Sequence, residues 1–264
     1  MPFLDEKTTK TSVLSGIVND PYRYRALMIS WKTNSKYNEK SEVQQAAMSA
    51  LIRAMNESRT GLVIMPCGSG KSSVIAEVGF RAGKTVLILC YERQGATQVA
   101  SLLRNHTTLD KTQVFLVGET KAMIPDSLIC FVVVTYTLFV ASTGGSKRGK
   151  VSEIGNFLKK MSFDAVLCDE AHHVTAATFR PCIEELKTRT RHLFGFTGTL
   201  YRGDDTVLGE TRKEHEQRVF GWLGTVIFRS TCQDLEARGL IAMVSFRHPC
   251  GTSAQRTQRS LNDP

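Results

Sequence analysis

An α/β fold, a mainly parallel β-sheet flanked by helices, is predicted by three observations. Short apolar runs alternate along the chain with segments of helical period, the pattern of a parallel sheet covered by helices. Several runs, such as Val86 to Cys90 and Phe131 to Val134, are apolar at nearly every position, as buried strands require. The residues able to carry chemistry follow the ends of these runs, and ligands of such sheets bind at the carboxyl ends of strands.

The elements follow in order. Residues 1–37 are polar and aperiodic and read as part of an extension over 1–40. Ser41 to Met55 places Ala47, Met48, Leu51, Ile52 and Met55 on one helical face, with Ser41 as N-cap. Gly61 to Met65 is a strand ending in a glycine turn, and Lys71 to Arg81 a helix. Thr85 to Cys90 is a strand and Thr97 to Asn105 a helix. Gln113 to Val117 and Ile129 to Thr135 are strands. A Gly/Ser/Lys loop from Ala141 to Lys150 precedes a helix over Val151 to Met161. Ala165 to Cys168 is a strand, Ala176 to Lys187 a helix, and His192 to Thr197 a strand. Gly203 to Gln217 is polar, a loop or surface helix. Val226 to Phe228, a helix near Cys232 to Arg238, and Ala242 to Phe246 close the pattern, with a polar tail over 248–264.

Composition narrows the class. The 264 residues are 42% hydrophobic and 22% charged, an ordinary globular balance that excludes a collagen-like, coiled-coil or mainly disordered chain. No apolar run approaches the ~20 residues of a membrane helix, and Met1 to Lys7 lacks a secretory pattern. The expectation is an intracellular protein with no membrane partner. Net charge is +9, spread along the chain and compatible with a polyanion such as nucleic acid. The seven cysteines are scattered, with no Cys-x-x-Cys pair, which reads as reduced thiols, mostly buried.

The sharpest motif is Met65-Pro66-Cys67-Gly68-Ser69-Gly70-Lys71-Ser72, after a strand and opening a helix. Its glycines let backbone N–H groups curl round a phosphate, and the helix N-terminus adds its positive end. In this reading Lys71 reaches the β- and γ-phosphates and Ser72 holds Mg²⁺. Met65 stands where the usual first glycine would be. The second motif is Asp169-Glu170-Ala171-His172, after the apolar run Val166 to Cys168. Asp169 is read as the Mg²⁺ carboxylate and Glu170 as the base that orients the attacking water. His172 contacts the γ-phosphate side or relays to the next motif, and His173 has no assigned role.

Together these motifs resemble a superfamily 2 helicase whose acidic box is lettered DEAH. Gly195-Phe196-Thr197-Gly198-Thr199-Leu200 resembles the motif that couples the nucleotide site to nucleic acid, with Thr197, Gly198 and Thr199 as coupling residues. Val133-Val134-Thr135-Tyr136-Thr137-Leu138 resembles the motif whose threonine, here Thr135, touches the nucleic-acid backbone. Gln45 suits the position of an adenine-reading glutamine, with Gln44 as the alternative. Within the superfamily the chain is most similar to the xeroderma pigmentosum group B family of repair helicases. The likeness runs from about Gln45 to Phe246 and includes Leu235-Glu236-Ala237-Arg238-Gly239-Leu240-Ile241-Ala242. That family has Ala where Gly198 stands and Arg-Glu-Asp where Arg202-Gly203-Asp204 stands.

The resemblance implies a RecA-like P-loop NTPase lobe over 41–247, ATP and Mg²⁺ as cofactors, and a DNA partner ahead of RNA. It implies work in a repair or transcription assembly, nuclear if the cell is eukaryotic. Such motors close two lobes on ATP, and the residues after Phe246 are too few for another. The second lobe is therefore expected in another chain or copy. Lys147, Arg148 and Lys150 read equally as phosphate contacts or as a solvated charge run; Lys159, Lys160, Arg189 and Arg191 read as solvated faces. The alternative function is a nucleotide-binding interaction module without turnover.

Overall fold

The computed structural model describes residues 29–57, 60–119, 129–143, 153–176, 178–199 and 211–240. Seven strands form one sheet: β1 (Thr60–Ile64), β2 (Thr85–Cys90), β3 (Val114–Leu116), β4 (Cys130–Thr135), β5 (Phe163–Asp169), β6 (Thr190–Thr197) and β7 (Val226–Arg229). Their order is β3-β4-β2-β5-β6-β1-β7, and every pairing is parallel. The predicted fold class is borne out.

The helices are α1 (Glu42–Glu57), α2 (Lys71–Ala82), α3 (Arg93–His106), α4 (Tyr136–Ser142), α5 (Glu153–Lys160), α6 (Arg180–Thr188), α7 (Arg212–Leu223) and α8 (Cys232–Ala237). They cover both faces of the sheet. Val86, Ile88 and Cys90 of β2 enter the core under α1, α2 and α3. Leu87 and Leu89 enter the opposite core, with residues of α4, α5, α6 and α7. Successive strand residues point to opposite faces, so a strand buried on both must be apolar throughout.

Boundaries moved where local chemistry overrides periodicity. The α1 start is a capping box: Gln44 N donates to Ser41 Oγ and Ser41 N donates to Gln44 Oε1, at 3.3 and 3.0 Å. Helix α3 begins a turn earlier than the apolar spacing indicates. Helix α6 begins at Arg180 rather than Ala176, with Pro181 in its first turn, because Ala171–Thr175 winds as a 3₁₀ turn. Helix α4 was not anticipated; the side chain of Thr135 caps it, accepting from Leu138 N. Its residues, including Thr137, Phe139 and Val140, carry no helical signature.

Residues 29–40, assigned from sequence to an extension, pack on the body. The Trp31 ring lies 5.2 Å from both Tyr37 and Phe80, and its Nε1 donates to Glu77 Oε2 at 3.0 Å. Lys40 pairs with the same carboxylate. Burial pushes the Glu77 carboxyl up, but hydrogen bonds from Lys40, Trp31 and Arg81 outweigh it and hold the group below the usual range. Residues 1–28, the basic loop with Lys147, Arg148 and Lys150, Leu200, Arg202-Gly203-Asp204, the strand expected over Ala242 to Phe246 and the 248–264 tail lie outside the described residues.

Close packing beneath the site gives one test of this fold. A Cβ built on Gly195 in β6 would lie 2.6 Å from Leu223 Cδ1 and 2.8 Å from both Ala171 Cβ and Leu62 Cδ1. Ala171 belongs to the acidic box, and its Cβ cannot yield without moving the backbone. Gly195→Ala is expected to cost about 1–3 kcal/mol, measured as a lowered denaturation midpoint.

Candidate active site

The sheet order puts the ends of β5, β6 and β1 side by side, so three motifs distant in sequence converge at one edge. Met65 N donates to Thr197 O at 2.9 Å, tying the start of the glycine loop to the end of β6. The loop then turns through Gly68 (φ 81°) and Gly70 (φ 83°), left-handed conformations that favour glycine. Ser69 Oγ donates to Pro66 O at 2.7 Å and closes the turn. Gly70 provides no side-chain cap to α2, so the positive helix end is left to the loop.

Lys71 lies in the first turn of α2, and its Nζ is 3.4 Å from Glu170 Oε1. Glu170 Oε2 is 3.5 Å from His172 Nδ1, which is 2.8 Å from Thr197 Oγ1. Thr197 Oγ1 in turn donates to Thr199 O at 2.5 Å. One polar chain thus joins the glycine loop, the acidic box and the Thr197-Gly198-Thr199 motif. Among the described residues, Glu170 is the one non-glycine residue with a left-handed φ, 47°. Such a conformation costs of order 1–3 kcal/mol and is held by its surroundings; here β5 ends and the 3₁₀ turn begins at that residue.

Asp169 accepts from Glu170 N at Oδ1, 3.0 Å away. Burial raises its carboxyl to about 6; Lys71 opposes the shift and Glu170 adds to it. Tyr136, fully buried, donates its hydroxyl to Asp169 O at 2.9 Å. That contact links the β4–α4 junction, where Thr135 stands, to the acidic box. The tyrosine's own signal was only its place beside Thr135.

The sequence-predicted residues fall into place unevenly. Cys67 and Gly68 are exposed, Ser69 is buried, and Lys71 and Ser72 are half-buried at the loop. The Met65 side chain is wholly buried in the core, so this residue offers the loop only its backbone. Cys90, Cys130 and Cys168 are buried, and burial keeps their thiols protonated; Cys67 and Cys232 depart from the expectation and are exposed. Arg189 is no solvated cation: its Nη1 donates to Leu158 O and Met161 O at 2.5 and 2.7 Å.

Gln45 is corrected. It is exposed, and its Nε2 donates to Lys40 O on the outer face of α1. Gln44 faces the loop instead: its Nε2 donates to Ser73 Oγ at 3.2 Å, and a Cβ on Gly70 would lie 2.0 Å from that nitrogen. The capping-box spacing from Ser41 was the signal that could have chosen between them. A Cβ on Gly198 would stand 3.6 Å from Lys71 Nζ and 3.8 Å from Cys67 N, ordinary contact distances. Alanine therefore fits there, and this departure from the resembled family leaves the site's shape intact.

The donor set suits a nucleoside triphosphate with a divalent cation. A glycine cradle, an uncapped helix end and one lysine meet polyphosphate; a carboxyl raised by burial is one that a cation would bring back down. A family model described as type III restriction enzyme, res subunit (ResIII), matches residues 38–202. The chain belongs to the ResIII family. This ResIII domain is 26% identical over 188 residues to the general transcription and DNA repair factor IIH helicase/translocase subunit XPB of Dictyostelium discoideum, covering 71% of the chain and 22% of that protein. It is 29% identical over 184 residues to the DNA 3'-5' helicase XPB of Mycobacterium tuberculosis, covering 69% and 30%. The chain thus spans less than a third of the length of these curated relatives. Among solved structures it resembles the ATP-dependent type ISP restriction-modification enzyme LlaBIII bound to DNA (TM-score 0.56, 17% identity, 76% of this chain and 15% of that one). It also resembles the Pyrococcus furiosus Hef helicase domain (TM-score 0.51, 19% identity, 73% and 40%). The fold of the ResIII chain is RecA-like, an all-parallel seven-stranded sheet covered by helices. No described helix is long and apolar enough to cross a membrane.

Proposed function

We propose that residues 41–247 are the ATP-binding and hydrolysing lobe of a superfamily 2 DNA helicase or translocase acting in DNA repair or transcription. The observation that carries this reading is the polar chain Lys71–Glu170–His172–Thr197, which joins the phosphate loop to the coupling motif. Pro66 to Ser72 cradle the polyphosphate, with Lys71 on the β- and γ-phosphates. Ser72 and Asp169 hold Mg²⁺, which when bound neutralises charge on the phosphates. Glu170 orients and deprotonates the attacking water, and His172 passes the state of the site to Thr197, Gly198 and Thr199. Gln44 recognises adenine. Gln44→Ala is expected to weaken ATP more than GTP, narrowing the preference between them, whereas Gln45→Ala leaves both unchanged; competition binding with the two nucleotides measures this.

Thr135 at the end of β4 contacts the nucleic-acid backbone, the basic residues Lys147, Arg148 and Lys150 further along the sequence supply phosphate contacts, and DNA is the partner ahead of RNA. A second RecA-like lobe, from another chain, copy or stretch of a longer protein, supplies the remaining charge stabilisation. The setting is intracellular, in a multi-subunit repair or transcription assembly, nuclear in a eukaryote. The test is ATP hydrolysis by the purified chain, with and without DNA, beside Lys71→Ala. DNA-stimulated turnover lost in the variant is the expected result. ATP binding without turnover in any assembly with a second lobe would favour the interaction-module reading, and no ATP binding would overturn both.

A further inference from the structure

His173 follows the acidic box and enters none of the steps above, yet it is buried, and its backbone N donates to Glu170 O at 3.0 Å. It shares the 3₁₀ turn Ala171–Thr175 with His172. Consecutive residues of such a turn project about 120° apart, so the backbone alone does not bring their rings together. The two rings nevertheless lie 4.1 Å apart, tilted by 43°. What presses His173 toward His172 comes from another strand. The Tyr91 ring stacks on His173 with centroids 3.6 Å apart and planes within 6°. Tyr91 is the first residue after β2, and β2 is registered on β5 with Leu89 opposite Cys168. Tyr91 and Glu170 therefore leave the sheet at the same level. The stack Tyr91–His173–His172 is anchored by the sheet at one end and by Thr197 at the other.

One tautomer of His172 suits its partners. Thr197 Oγ1 gives its proton to Thr199 O, so at 2.8 Å it must accept from His172 Nδ1. Glu170 Oε2, 3.5 Å from the same nitrogen, is also an acceptor. We propose that His173, clamped by Tyr91, is a positioning residue that holds the His172 imidazole with its proton on Nδ1, aimed at Thr197 and Glu170. This rests on the reading of His172 as the relay from the nucleotide site and names what keeps that relay in register. A His172 ring free to turn would exchange its two tautomers and break the chain Lys71–Glu170–His172–Thr197. The clamp works through the flat faces of its rings. It therefore requires an aromatic side chain at 173 and at 91, not an imidazole or a hydroxyl.

The experiment uses the full chain without nucleotide, labelled with ¹⁵N in histidine, at about pH 8, where an ordinary histidine is neutral. Ring-nitrogen shifts are read from two-bond correlation spectra. The chain has six histidines, so His172→Asn identifies the signal by removing it. The parent, His173→Phe and Tyr91→Phe are expected to show a protonated Nδ1 and a bare Nε2. In His173→Leu both shifts move toward the average of the two tautomers. Tyr91→Leu does the same from the other side of the stack, and Tyr91 is an exposed side chain whose loss leaves the core intact. In the assembly that hydrolyses ATP, the two leucine variants lower kcat about 2- to 10-fold, the worth of one aromatic stack, with KM for ATP unchanged. A role in stability alone would lower their melting temperatures and leave the His172 shifts at the parent values, which overturns the clamp. So do averaged shifts in the parent, phenylalanine variants that behave like the leucine ones, or an unchanged kcat. Each of these leaves the motor reading standing. Absence of ATP binding by the parent overturns the motor reading instead, and the tautomer still reports on the clamp.

Discussion

Glu170→Gln lowers ATP turnover by about 10²–10⁴-fold, the usual contribution of a positioned general base, while ATP–Mg²⁺ binding survives. Glutamine keeps the shape at the left-handed corner after β5 but cannot take a proton from water. The binding half of the expectation follows from geometry. In the structure Lys71 Nζ sits 3.4 Å from Glu170 Oε1, so the lysine must leave this carboxylate to grip a phosphate. Removing the charge frees Lys71 and tightens ATP. A partly exposed pair is worth at most about 1 kcal/mol, so the gain is within about fivefold. Single-turnover hydrolysis and equilibrium binding of a fluorescent ATP analogue check the two halves, in the assembly that turns over. Full turnover by the variant would remove Glu170 from the role of base.

Asp169→Asn stabilises the nucleotide-free chain and abolishes its Mg²⁺-dependent chemistry. Burial raises the Asp169 carboxyl from 3.8 to about 6 in the fold. A carboxyl raised on folding holds its proton longer than in the unfolded chain. Below about 4 both states are protonated and the group contributes nothing. As pH rises from about 4 to 6 the unfolded chain releases the proton first, and stability falls. Above about 6 the loss is complete. Two units correspond to about 3 kcal/mol; partial solvent access reduces this to about 1–2 kcal/mol. Asparagine carries no charge to desolvate, and its Oδ1 still accepts from Glu170 N. The variant should therefore melt a few degrees higher at pH 7–8 and match the parent at pH 4. Thermal melts across this range, without Mg²⁺, decide it. A variant less stable than its parent at pH 8 would mean that the carboxylate is worth more to the fold than its burial costs.

Much of this was legible along the chain, for identifiable reasons. A strand buried on both faces must be apolar throughout, so β2, β4 and β5 announce themselves, and a parallel sheet follows from their alternation with helices. The glycine loop is legible because Gly68 and Gly70 must adopt left-handed backbone that other residues resist. The acidic box is legible because its carboxylates follow an apolar strand. Helix α4 was not, since seven residues capped by Thr135 leave no period to read. Nor was the docking of Trp31 on Glu77 and Phe80, whose partners lie more than a helix away in sequence.

The choice between Gln44 and Gln45 shows where the line falls. Adjacent residues on a helix point about 100° apart, and composition cannot say which one faces the loop. The packing of α1 on α2 decides it, turning Gln44 to Ser73 and Gln45 to solvent. Likewise the sequence supplied Lys71, Glu170, His172 and Thr197 as separate candidates. Only the order β5-β6-β1 brings their strand ends together, and only then do contacts of 2.8 to 3.5 Å join them. By itself the sequence determined which candidate residues the chain carries and on which kind of sheet they sit, because those depend on residue type, spacing and local backbone freedom. The tertiary structure alone decided which groups meet, which thiols are buried, that the Asp169 carboxyl is raised, and that Tyr91 is backed by His173, because contact and desolvation depend on neighbours remote along the chain.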